Sequence, residues 1–160
     1  MAILNIVKEG DPVLRKTSRP VENITERTLT LLDDMTETLH EAQGCGLAAV
    51  QVGVLRRIVI VEVEEGDTIE MINPEIISRE GEQQELEGCL SIPGKYGITT
   101  RPMTVTVRYT DRTGKICERT GSELAARAFC HELDHLDGIL YSDHARMLTE
   151  EELNEMYERE

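Results

Sequence analysis

The stretch "FCHELDHLDG", residues Phe129 to Gly138, contains the spacing His-Glu-x-x-His. Successive residues of an α-helix advance by about 100°, so His131 and His135, four apart, project from one face about a turn from each other. Two imidazoles placed this way suit a shared metal ion, with Glu132 beside them as a candidate base. The helix that carries them reads from about Ser122 to Leu136, with Leu124, Ala128, His131 and His135 along one stripe and Gly138 as a C-terminal stop. Because the histidines share that stripe with the apolar residues, they are directed inward, toward whatever packs on the helix.

Working outward from this helix, "TVTVRYTDRTGKICERT" places Val105, Val107 and Tyr109 in alternation, then a turn at "DRTG" and a returning strand, which together make a hairpin. "EMINPEIISREGEQQELEGCLSIPG" reads as one or two strands, with Pro74 disfavouring a central position, and "RRIVIVEVEEGD" as a strand ending in a turn. From Thr25 to Ala42, Leu29, Leu32, Met35 and Leu39 recur at helical spacing, with Thr25 as N-cap and Gly44 just past the end. The preceding "EGDPVLRKTSRPVENI" carries Pro12 and Pro20 and reads as an extended arm lying on the domain. Beyond Met147, "LTEEELNEMYERE" reads as a short, strongly acidic helix or a frayed tail. The order helix, strands, helix implies an α+β fold: antiparallel strands packed around a central metal-binding helix, with an N-terminal helix and a short C-terminal helix.

Length and composition bound the rest. The 160 residues, 39% of them apolar, suffice for one core, so residues 1–148 are expected to form one catalytic domain and 149–160 an acidic tail or short helix. A net charge of −14 argues against nonspecific binding to nucleic acid or to an anionic membrane, both of which need a basic face. No apolar run approaches a membrane span, and "MAILNIVKEGDP" has a lysine and acids where a signal peptide needs apolar residues, so a cytoplasmic location is expected. In that reducing compartment Cys45, Cys89, Cys117 and Cys130 are core filler or chemistry rather than disulfides.

Hydrolytic metal centres of this kind use three protein ligands and leave one position for water, so the two histidines need a partner. The metzincin continuation is followed through Gly138, but Tyr141 stands where its third histidine belongs. Glu155 lies in an acidic run of the sort that forms a solvated face, and His144 in a loop soon after the helix stop. Cys130 diverges from His131 by one helical step, and Cys117 sits in the hairpin without a supporting motif. Cys45 and Cys89, each set among glycines, remain level on these grounds.

Three segments together, "GCGLAAVQ" (Gly44 to Gln51), "EGCLS" (Glu87 to Ser91) and "HELDH" (His131 to His135), resemble in content, order and spacing the three motifs of peptide deformylases. Those enzymes remove the N-formyl group from nascent bacterial polypeptides. "DPVLR" and "RPV" are similar to the family's N-terminal arm, so the resemblance extends to about Met147. It implies Cys89 as the third ligand beside His131 and His135, Glu132 as the proton carrier, and the side-chain amide of Gln51 with the backbone N–H of Leu90 as oxyanion donors. It also implies one divalent metal, Fe2+ physiologically, with Zn2+, Ni2+ or Co2+ able to take its place. Gly44, Cys45, Gly46, Glu87 and Gly88 would border an extended substrate, and Leu124 and Ala128 are candidate walls of a methionine pocket. Arg101 is a candidate partner for Glu87 or Asp134.

Two departures stand out. Cys130 precedes the first histidine where the family commonly has glutamine, and the tail from Thr149 carries six acids and one arginine where some members use a basic helix to dock on the ribosome. The implied partners are N-formylmethionyl nascent peptides, with no docking helix evident for the ribosome. The rival readings are another amidase or peptidase on a Cys-His-His site, and a structural metal site closed by Cys45.

Overall fold

In the computed structural model, which describes residues 2–158, α2 (Leu124–Leu136) is buried at nine of its thirteen positions, His131, Glu132 and His135 among them. Met1, and Arg159 and Glu160 of the acidic tail, lie outside the described residues. A helix buried on nearly every side needs more than one covering layer. The strands are β1 (Gly46–Ala48), β2 (Ile58–Val61), β3 (Ile69–Glu80), β4 (Gln83–Cys89), β5 (Ile92–Arg101), β6 (Thr104–Thr110), β7 (Ile116–Ser122) and β8 (Arg146–Met147). They form two antiparallel sheets, one in the order β1-β2-β3-β6-β7 and one in the order β4-β5-β8.

Side chains alternate across a strand, and β2 shows the consequence. Val59 and Val61 join Met71, Val105 and Val107 in a core that packs Ala126, Phe129, Leu133 and Leu136 of α2. Ile58 and Ile60 turn the other way, onto Leu32, Met35 and Leu39 of α1 (Glu26–Ala42). The larger sheet is therefore covered by a helix on each face, which is why β2 is apolar at every position. A third cluster, Leu14, Ile92, Leu140 and Tyr141 with the half-buried Cys89 and Met147, ties the N-terminal arm to the smaller sheet. The last helix, α3 (Glu150–Glu158), buries no residue fully.

Most expectations match: Thr25 caps α1, the hairpin forms over Thr104–Ser122, and the arm lies on the domain through Glu9 N–H to Ser91 O and Ser18 N–H to Leu136 O, with a 3-10 turn at Pro12–Arg15 interrupting its extended course. Three differ. The residue that ends α1 in a left-handed conformation is Gln43, at φ 56°, while Gly44 serves a close approach instead. A Cβ on Gly44 would lie 2.9 Å from Leu90 Cδ1. Pro74 sits in β3, the middle strand of the larger sheet, because the register to β6 shifts between Ile72 and Glu75, where a missing N–H breaks no ladder bond. Asn73 beside it, at φ 52°, uses its side chain to accept from Val21 N–H and donate to Val21 O, so the bulge docks the arm. Finally, Ile92–Arg101 forms β5, a strand that the alternation does not predict because Pro93, Gly94 and Gly97 interrupt it.

Candidate metal centre

The two sheets and α2 meet at one point. α2 presents His131 and His135, the last residue of β4 is Cys89, and the 3-10 turn Ala49–Val52 after β1 carries Gln51. The Nε2 atoms of the two histidines are 3.2 Å apart, and Cys89 Sγ lies 3.5 Å from His135 Nε2. Nitrogens about 2.0–2.1 Å and a sulfur about 2.3 Å from a tetrahedral ion would be separated by about 3.3 Å for the N–N pair and about 3.6 Å for the S–N pair. The protein thus holds these donors at the spacing one ion requires. Among the described residues, the group of three candidate ligand side chains converging within 4.8 Å is Cys89, His131 and His135. Cys45 is not part of it, and burial pushes its thiol up, away from the thiolate a ligand needs.

The candidate ligand His131 is oriented from behind. His131 Nδ1–H donates to Glu87 Oε2 at 2.6 Å, which leaves the Nε2 lone pair facing Cys89 and His135. Glu87 is held by Arg101, whose Nη2–H and Nε–H donate at 2.8 and 3.2 Å, and Arg101 also reaches Asp134 Oδ2 at 2.8 Å. Burial alone would raise the Glu87 carboxyl, but His131 and Arg101 outweigh it and hold it down at about 2. Arg101 therefore binds both of its candidate partners. Asp137 pairs with Arg57 at 3.0 Å, and the carboxylate that His131 meets is Glu87. His144 approaches Asp134 at 3.7 Å, away from the ligand group.

Glu132 is 4% exposed, and burial pushes its carboxyl up to about 7. That places its proton affinity in the range a general base and acid needs at neutral pH. Its Oε1 makes no hydrogen bond among the described residues, and its other oxygen lies against Gly46. Gln51 is 1% exposed and its orientation is set: Oε1 accepts from Ala48 N–H at 2.9 Å, turning the amide NH2 toward Ser91 Oγ at 3.1 Å and Cys89 Sγ at 3.7 Å.

Of the remaining sequence candidates, Gly44 abuts Leu90, and Gly88 lies under the Tyr96 ring, where a Cβ would meet Cε1 at 2.8 Å. Ala128 packs in the core around α2, and Cys130 is buried there too. Leu124 does not face the core as its place on the stripe implied. It is 41% exposed, because the first turn of α2 emerges beyond the covered part of the helix. Three residues escaped the sequence reading: Ser91, which receives the Gln51 amide, Thr99, which donates to Glu87 at 2.8 Å, and Tyr141. The Tyr141 ring stacks on His131 at a centroid distance of 5.8 Å, and its hydroxyl donates to Lys95 O. Tyr141 was marked only by occupying the place of a missing histidine.

The family model described as polypeptide deformylase matches residues 3–151. The peptide deformylase of Caldanaerobacter subterraneus subsp. tengcongensis is 54% identical over 154 residues, 96% of each chain, and that of Thermoanaerobacter pseudethanolicus 53% over 159 residues, 99% of each. The crystal structure of a peptide deformylase from Legionella pneumophila matches with a TM-score of 0.86 at 39% identity, covering 98% of this chain and 96% of that one. The structure from Ehrlichia chaffeensis, in complex with actinonin, matches with a TM-score of 0.88 at 36% identity, covering 99% and 96%.

Proposed function

Since the chain belongs to the polypeptide deformylase family and is a metal-dependent hydrolase of the N-formyl amide, we propose that it takes the formyl group from the N-terminal formylmethionine of nascent polypeptides and releases formate. The observation that carries this reading is the convergence of Cys89, His131 and His135 beside the buried carboxyl of Glu132.

Cys89 Sγ, His131 Nε2 and His135 Nε2 would hold one divalent ion, ferrous iron in this reading with zinc, nickel or cobalt able to take its place, and that ion would supply the Lewis acidity that makes water nucleophilic and polarises the formyl carbonyl. Glu132 accepts the proton of the attacking water and later delivers it to the leaving amine. The Gln51 amide and the Leu90 N–H stabilise the oxyanion, each contributing about 3 kcal/mol when already aimed at it. β1 and β4 stand at the edges of their sheets, so the segments Gly44–Gly46 and Glu87–Gly88 present backbone along which the peptide lies as an added strand. Leu124, open at the start of α2, forms a wall for the methionine side chain more readily than the core residue Ala128.

Residues 1–148 act as the catalytic unit, and the described part of the acidic tail, which includes α3 with Glu150, Glu151, Glu152, Glu155 and Glu158, does not serve as a basic ribosome-docking helix. No helix among the described residues is long and apolar enough to cross a membrane, and we place the reaction in the cytoplasm, where nascent chains emerge.

Anaerobically purified, iron-loaded protein is expected to release formate from an N-formylmethionyl peptide and nothing from its N-acetyl counterpart. Absence of formyl-dependent turnover by metal-replete protein would overturn the proposal.

A further inference from the structure

β5 carries Gly97, Thr99 and Arg101 at alternate positions, and therefore on one face of the strand. Glu87 of β4 stands directly opposite Gly97, whose lack of a side chain leaves that face open for the Glu87 carboxylate to turn along it. The carboxylate then meets four donors. Oε1 accepts from the Thr99 hydroxyl at 2.8 Å and from Arg101 Nε–H at 3.2 Å, and Oε2 accepts from Arg101 Nη2–H at 2.8 Å and His131 Nδ1–H at 2.6 Å. A carboxylate offers about four lone-pair sites, so this one is saturated. Thr99 is 0% exposed, which leaves water no access to replace its hydroxyl.

We propose that Thr99 is a positioning residue for the metal centre: its hydroxyl fixes the Glu87 carboxylate in the plane that aims His131 Nε2 at the ion shared with Cys89 and His135. This rests on the Cys-His-His site described above. Arg101 supplies charge and two donors from one side, and Thr99 fills the one lone pair Arg101 leaves on Oε1. Without it, the carboxylate is free to rotate toward the guanidinium and away from Nδ1. Groups that orient a ligand histidine in this way change metal affinity about tenfold or more when removed.

The test compares Thr99→Val, which keeps the shape and loses the hydroxyl, with Thr99→Ser, which keeps the hydroxyl and loses the methyl. Co2+ affinity is read by competition with a chromophoric chelator, together with the absorption spectrum of the bound ion, and Cys89→Ala serves as control. Thr99→Val is expected to raise the Co2+ dissociation constant about tenfold and to alter the spectrum, with Thr99→Ser within about twofold of the parent. If only packing matters at this position, the order of the two variants reverses, and the proposal fails. It fails equally if Thr99→Val binds within twofold of the parent while Cys89→Ala loses the ion. If Cys89→Ala itself keeps parental affinity, the ligand set is wrong and the proposal falls with it.

Discussion

Gly46 and Glu132 are in contact: a Cβ built on Gly46 would lie 2.5 Å from Glu132 Oε2 and 2.8 Å from its Cγ. The backbone of β1 is thus one wall of the pocket that holds Glu132, the proposed base. Gly46→Ala must push the carboxylate aside, while Cys89, His131 and His135 lie on other elements. A displacement of about 1 Å at a catalytic group costs on the order of a hundredfold in rate. The variant is expected to lose about tenfold to a hundredfold in kcat with its metal content unchanged, measured by formate release and elemental analysis of one sample. Parental kcat would mean that Glu132 has slack the structure does not show.

The proposed base and two of the proposed ligands were legible because they repeat within one turn of one helix, where spacing alone sets direction. Cys89 was not. Its contact with His135 spans 46 residues and depends on how β4 packs against α2, and Cys45 offered the same local signature of a cysteine among glycines. Only the three motifs taken together separated them. Thr99 carries no local mark, since a threonine in a strand is ordinary in any fold, and Tyr141 stands out only as the residue in place of a third histidine, which says nothing of its stacking on His131. Pro74 misled for the opposite reason. A local rule against proline in central strands holds until a bulge removes the ladder bond, and the bulge at Asn73 is a tertiary feature that docks the arm.

Glu132→Gln tests the division of labour on α2. The amide keeps the size of the side chain and leaves the ligand atoms in place, but it cannot accept the water proton. General acid–base groups contribute about a hundredfold to ten-thousandfold, so kcat should fall by at least about a hundredfold while one metal ion per chain is retained. Cys89→Ala should do the reverse, losing the ion first. A Glu132→Gln protein purified without metal would reassign Glu132 to holding the site together.

Arg101 is buried between Glu87 and Asp134, with 6% of its side chain exposed. Arg101→Met removes the charge and keeps the length, leaving two carboxylates without their partner. Breaking a buried pair from one side costs about 3–5 kcal/mol, more than the replaced contacts return. Urea unfolding of the variant should show a loss of that order. A change below about 1 kcal/mol would place Arg101 among the ordinary surface pairs, whose worth is that small.

Glu123 precedes α2 with φ 55° and ψ −119°, a backbone conformation that L side chains rarely adopt, and it supplies no side-chain cap. Residues held in sparsely populated backbone regions store on the order of 1–3 kcal/mol. Glycine meets no such penalty but loses more freedom on folding, about 0.5–1 kcal/mol. The side chain of Glu123 is exposed, so little contact is lost. Glu123→Gly is therefore expected to stabilise the protein by about 1 kcal/mol in urea unfolding with kcat unchanged. Destabilisation would show that the turn is not strained by its side chain.

Arg15 closes the N-terminal arm onto the 3-10 turn Tyr141–Asp143 through two hydrogen bonds to Asp143, at 2.6 and 2.9 Å, while Gly138 leaves room for the Arg15 backbone, where a Cβ would meet Arg15 O at 2.5 Å. The Arg15 guanidinium holds the Asp143 carboxyl below its ordinary value. A carboxyl with a lowered folded-state value binds protons more weakly folded than unfolded, so its contribution is complete above the unfolded value of about 3.9 and disappears as pH falls through the folded one. The side chains are 51% and 37% exposed, and solvent screening limits such a pair to about 0.2–1 kcal/mol. Asp143→Asn should therefore be less stable than the parent by that amount at about pH 6, and the gap between the two should close as the pH falls from the unfolded carboxyl value through the lowered folded one. Added salt should narrow the gap at pH 6 in the same way, because both treatments remove the charge interaction and leave the arm's backbone hydrogen bonds intact. A gap that stayed constant through both titrations would assign the clasp to packing around Gly138 instead of to the ion pair.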